Sequence, residues 1–130
     1  MKAFIFLSLT IFLFGCTKEV TKIYGCKDPL SINYNPKATD DDGSCKYEGK
    51  VVFWTNTNVG SNITVTINNN SEVITNYYST YNPDCSSTGC GIFTLSPGYY
   101  NYTAENNDYT WNGTIYITKN GCSKMLLHVQ

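Results

Sequence analysis

Ile63-Thr64-Val65-Thr66-Ile67-Asn68-Asn69-Asn70 is the stretch that decides the fold. Apolar side chains occupy every second position, with threonine between them. That period belongs to a strand with one buried face, and the asparagine run that follows marks a turn. The same beat returns in Trp111, Gly113, Ile115 and Ile117, set against Asn112, Thr114, Tyr116 and Thr118. Short β-branched and aromatic runs between Gly, Asn and Pro predict further strands. The full set falls near 51–55, 63–68, 72–78, 92–95, 99–104, 110–118 and 124–129. No helical stripe of three turns interrupts them. The expected fold is all-β: a small antiparallel β-sandwich of about seven strands over residues 49–130, with one thin core.

Composition narrows the function. The chain has 130 residues and a formal net charge of −1, enough for one small domain plus short extras. Its nine cationic residues are all lysine. A near-neutral chain without arginine lacks the basic footprint of a nucleic-acid binder. His128 is the sole histidine, which excludes a polyhistidine metal site. Six cysteines suit an oxidising compartment better than the cytosol.

The N-terminal fifteen residues read as an export signal rather than fold. Lys2 precedes an uncharged apolar run from Ala3 to Phe14, too short to span a membrane and of h-region length. The run ends in Leu13-Phe14-Gly15-Cys16, which resembles the lipobox of bacterial lipoproteins. The resemblance implies a signal peptide at 1–15, lipidation of Cys16 and a membrane anchor; Thr17, where a retention signal would have Asp, and Lys18-Glu19, which resembles a charged export signal, point to the outer membrane or cell surface. Residues 16–24 would form a polar tether.

Residues 25–48 form a second unit. Asp28-Pro29, Asn35-Pro36 and Asp42-Gly43 are turn signals, and few apolar residues lie between them. Such a segment has no core of its own, but a Cys26–Cys45 bond can hold it, worth about 3 kcal/mol on chain-entropy grounds. The stretch Gly25-Cys26-Lys27-Asp28-Pro29, then Asn33-Tyr34-Asn35-Pro36, then Asp41-Asp42-Gly43-Ser44-Cys45 is similar to a repeat in bacterial secreted and surface proteins. Lys27 stands where that repeat usually has threonine. The resemblance implies a small disulfide-closed module and no activity. Asp28, Asp40 and Asp42 are the candidate ligands of a calcium ion, since hard cations take several oxygens from acidic turns. An EF-hand is excluded, because its first and twelfth positions would be Ala38 and Gly49.

Cys85, Cys90 and Cys122 remain, an odd set. Cys85 and Cys90 flank a four-residue loop and are the favoured disulfide, with Cys90–Cys122 as the alternative. Phe93-Thr94-Leu95-Ser96-Pro97-Gly98-Tyr99-Tyr100 resembles the Leu-x-Pro-Gly-x-Tyr hairpin of transthyretin-like and carboxypeptidase-regulatory-like sandwiches. The resemblance implies a tight Ser96-Pro97-Gly98 turn joining two central strands. No nucleophile elbow, phosphate loop or zinc motif occurs, so the expected role is non-catalytic. The function that fits is a lipid-anchored envelope or surface protein with a binding or structural sandwich, in adhesion or as an accessory subunit. The alternative is a carbohydrate-binding module, with Tyr78, Tyr99 and Tyr116 as the exposed platform. Expected partners are the membrane through the anchor, and a glycan or surface protein.

Overall fold

A computed structural model describes residues 19–129. Cys16 and the signal sequence lie outside the described residues. The fold is all-β, with no helix among the described residues. Two short strands, β1 (Tyr24–Gly25), just before Cys26, and β2 (Asp40–Asp41), inside the cysteine-bounded loop, pair in parallel. Seven longer strands follow, each overlapping a stretch expected to be a strand: β3 (Gly49–Trp54), β4 (Ile63–Ile67), β5 (Asn70–Ile74), β6 (Gly91–Leu95), β7 (Gly98–Glu105), β8 (Thr110–Ile117) and β9 (Cys122–Leu126).

The seven strands make two sheets, ordered β6-β3-β9 and β5-β4-β7-β8. Their inner faces close one core. Val51 and Phe53 of β3 and Phe93 of β6 meet Ile63, Val65, Ile67, Tyr102, Ala104 and Ile117 from the larger sheet. Phe53 lies at its centre, with its ring centroid 4.9 Å from that of Tyr102 and 5.9 Å from that of Phe93. Asn68 and Asn69 both take positive φ, 48° and 67°, and join β4 to β5 in a two-residue turn. Asparagine tolerates that region better than most residues, which is why the run of three marks the turn.

Three features differ from the expectation. First, β9 pairs with β3 in parallel, so the smaller sheet is mixed. Alternation within a strand says which residues face inward, but not the direction of a neighbour. Second, Ser96-Pro97-Gly98 joins β6 to β7, which belong to different sheets and are not hydrogen-bonded to each other. The turn is an arch across the core rather than a hairpin. The Tyr100 hydroxyl pins it by donating to the Ser96 carbonyl at 3.0 Å. Third, β5 ends at Ile74, and the chain then leaves the larger sheet. The amides of Thr75 and Asn76 donate to the Gly89 carbonyl, and that of Tyr78 to the Thr55 carbonyl.

The segment from Thr75 to Cys90 packs on the outer side of the smaller sheet. This explains why β3 is buried on both faces. Val52 and Trp54 pack with Cys90, and Tyr78, Cys85, Ile92 and Leu126 close around them. Cys85 bonds to Cys122 at the start of β9, with a Cα–Cα distance of 5.8 Å. Neither expected pairing forms, and Cys90 is a buried free thiol. Register supplies the reason for Cys122. It pairs with Lys50, at one end of β3, whereas Cys90 precedes Gly91, which pairs with Phe53 near the other end. The four residue steps from Lys50 to Trp54 span roughly 13 Å, far beyond the reach of a disulfide. The short Ser86–Gly89 loop does not close on itself because it spans the gap between Cys85, tied to β9, and Cys90, beside β6.

In the module, the Cys26–Cys45 bond forms as expected. Side-chain caps do the work of a core. Asp28, Asn35, Asp41 and Asp42 each accept the amide two residues on, at 2.9–3.0 Å. Ser31 and Asn33 knit the centre through the Lys46 and Ser44 backbone.

Candidate ligand-binding cleft

The calcium candidates are not gathered. Asp40 faces Lys22, with its Oδ1 3.2 Å from the ammonium nitrogen. Asp42 is held below the usual carboxylate range by hydrogen bonds from Ser44. Asp28 accepts from the Tyr47 hydroxyl at 2.6 Å and lies 3.3 Å from Lys119. Among the described residues, no three His, Cys, Asp or Glu side chains converge in a metal-holding group. Each aspartate caps its own turn or meets a lysine.

Asp28 instead helps hold the module to the sandwich. Lys119, in the turn between β8 and β9, lies 3.4 Å from the centre of the Tyr47 ring and also pairs with Asp28. Beside it the Asn120 amide donates to the Glu48 carbonyl at 2.8 Å. The Tyr47 hydrogen bond is the main reason the Asp28 carboxyl titrates below its ordinary 3.8; the Leu30 amide and Lys119 add to it. Tyr47 and then Asp28 raise Lys119 above its ordinary 10.5. A depressed carboxyl contributes stability above its unfolded pKa and loses it as pH falls through the folded value. A raised lysine contributes below its unfolded pKa and loses it above the folded one. The clasp is therefore intact between these limits and opens in acid below about pH 4. NMR chemical shifts of Tyr47 and Lys119 should move together there, and Asp28→Asn should remove the acid-dependent step. Shifts that stay flat through this range would contradict the clasp.

The tyrosine platform is split. Tyr99 and Tyr116 are cross-strand partners on the outer face of the larger sheet, 78% and 46% exposed. Their rings are 4.8 Å apart but tilted by 57°, so they share no common plane. Tyr78 is not with them. It packs over the smaller sheet, and its hydroxyl donates to the Thr88 carbonyl.

A different aromatic pair borders a cleft at the edge of the larger sheet. Between the start of β8 and the chain after β9 lies a cleft of about 450 Å³. Tyr102, Asp108, Tyr109, Trp111, Asn112 and His128 are among its lining residues. The volume is in the range of small-ligand sites. Tyr109 and Trp111 lie 5.7 Å apart and only 31° from parallel. The Trp111 indole donates to the His128 carbonyl at 2.6 Å, which fixes its ring. Asn106 sets the hairpin that carries Tyr109. Its side-chain oxygen accepts the backbone amides of Asp108 and Tyr109 at 3.1 and 2.8 Å, and its backbone N–H donates to the Tyr109 carbonyl. Tyr102 covers Gly113 of β8, where an added Cβ would sit 3.0 Å from the tyrosine ring.

The alternation of β8 puts Trp111 on the core side, so strand pattern alone does not mark it as part of a site. β8 is an edge strand, so near its first residues the core side opens to the outside. The signal was the density of Asp108-Tyr109-Thr110-Trp111-Asn112, two aromatics among three polar residues at a hairpin end. A second, polar pocket of about 40 Å³ by Thr55, Ser61 and Asn76 has room for water only. Compared with known proteins, the chain matches no family model, no curated protein and no solved structure.

Proposed function

We propose that this is a lipid-anchored protein of the bacterial cell envelope or surface, carrying a non-catalytic binding sandwich in adhesion or as an accessory subunit. One observation supports the reading: the cysteine-bounded module and the cleft are at opposite ends of the sandwich. The module that follows the tether grips Lys119, just past the end of β8. The cleft lies at the start of β8, by Trp111, and beyond the end of β9, by His128. The eight residues of β8 separate the two ends by roughly 26 Å. A chain tied to lipid at Cys16 would thus hold its module near the membrane and turn its cleft outward. The disulfide and the clasp make the module a stiff spacer. The lipid supplies the membrane affinity, about 0.8 kcal/mol per buried CH₂.

The test is metabolic labelling with a tagged fatty acid, joined to protease shaving of whole cells. The wild-type chain should take up the label and be shaved, and Cys16→Ala should take up none. Absence of label on the wild type would overturn the anchor. Label without shaving would place the sandwich on the periplasmic side and overturn surface display. The carbohydrate-binding alternative draws on the Tyr109–Trp111 pair.

A further inference from the structure

We infer that the Tyr109–Trp111 cleft is a binding site for a neutral oligosaccharide. The inference rests on the reading of the sandwich as a binding module and names its ligand class. Sugar rings offer apolar C–H faces and a rim of hydroxyls, so a site for them needs aromatic faces beside hydrogen-bonding side chains. The cleft supplies both. Tyr109 and Trp111 stand 31° from parallel on one wall. Asp108, Asn112 and His128 line it with them.

Charge selects among possible ligands. The cleft lining has one carboxylate and no lysine. An anionic polymer would find no lysine or arginine there and one repelling carboxylate, so an uncharged ligand fits better than an anionic one. The Trp111 ring is also preorganised, tied to the His128 carbonyl, and Asn106 holds the backbone that carries Tyr109. A tryptophan fixed in advance lowers the ordering cost of binding, which favours a weak-contact ligand such as a sugar. The exposed Tyr99–Tyr116 pair is a poorer platform, because its rings are tilted by 57°.

The test titrates the full chain in detergent with neutral cello-, xylo-, manno-, malto- and chito-oligosaccharides, read by tryptophan fluorescence and calorimetry. Acidic oligosaccharides and unrelated peptides are the comparison ligands. At least one neutral series should bind. Tyr109→Ala should weaken it about tenfold, the loss of one stacking face. Asp108→Asn should also weaken it, and Tyr99→Ala should leave it unchanged. Trp111→Ala also removes core contacts, so Tyr109 and Asp108 are the deciding variants. No neutral binder, preference for acidic sugars or peptides, or binding that survives both cleft variants would overturn the inference. So would loss on Tyr99→Ala alone. Fatty-acid label and shaving with no sugar binding would leave the proposed function standing and remove this site. Sugar binding by a chain that takes up no label would do the reverse.

Discussion

Changing both Cys85 and Cys122 to serine is expected to cost about 4 kcal/mol of stability, the chain-entropy value for a loop of this length. The two cysteines are 37 residues apart, so their bond closes the longer of the two disulfide loops. The double variant is the clean one, because a single change leaves a free thiol that can oxidise with Cys90. The loss should be local as well as global. The bond fastens the 75–90 segment over Val52 and Trp54. Without it that cover loosens. Trp54, 4% exposed in the intact fold, should shift its emission to the red. Cys90, whose thiol burial holds above its ordinary pKa, should begin to react with a thiol reagent under native conditions. An unchanged denaturant midpoint with a protected Cys90 would show that the cover holds by packing alone.

Phe53→Ala should cost about 3–5 kcal/mol, the usual range for deleting a fully buried aromatic. Phe53 is 0% exposed and touches Phe93 on its own sheet and Tyr102 on the other. Its ring therefore joins the two layers, and neither sheet can close the gap without moving the other. Urea unfolding measures the loss. The variant also probes the cleft, because Tyr102 packs on Phe53 from one side and lines the cleft from the other. Tyr102 should become more mobile, and ligand affinity should fall together with stability. A cost below about 1 kcal/mol would mean that the sheets are held together elsewhere.

Much of this structure was legible in the residues. Val65 and Ile67 announced a half-buried strand, and the asparagines after them announced its turn. Cys26 and Cys45 could be paired because they bound a segment with no other means of closure. The misreadings share one physical cause. Local pattern reports which way a side chain faces, not which strand lies beside it. The parallel β3–β9 pairing brings Cys122 to the edge where Cys85 lies, and no run of residues near either cysteine encodes that. Ser96-Pro97-Gly98 carries the composition of a tight turn whether the next strand joins the same sheet or the opposite one. Tyr78 has the side chain of a surface platform, yet the loop that carries it folds back on Trp54. Trp111 was legible as an inward residue but not as a cleft wall, because edge position is a property of the whole sheet.

The proposed anchor at Cys16 would set the orientation of the cleft, and intact mass spectrometry of the protein extracted from the cell envelope tests it most directly. The expected species begins at Cys16 and is heavier than its polypeptide mass by the attached acyl chains. A chain of bare polypeptide mass, recovered without detergent and starting elsewhere, would contradict it.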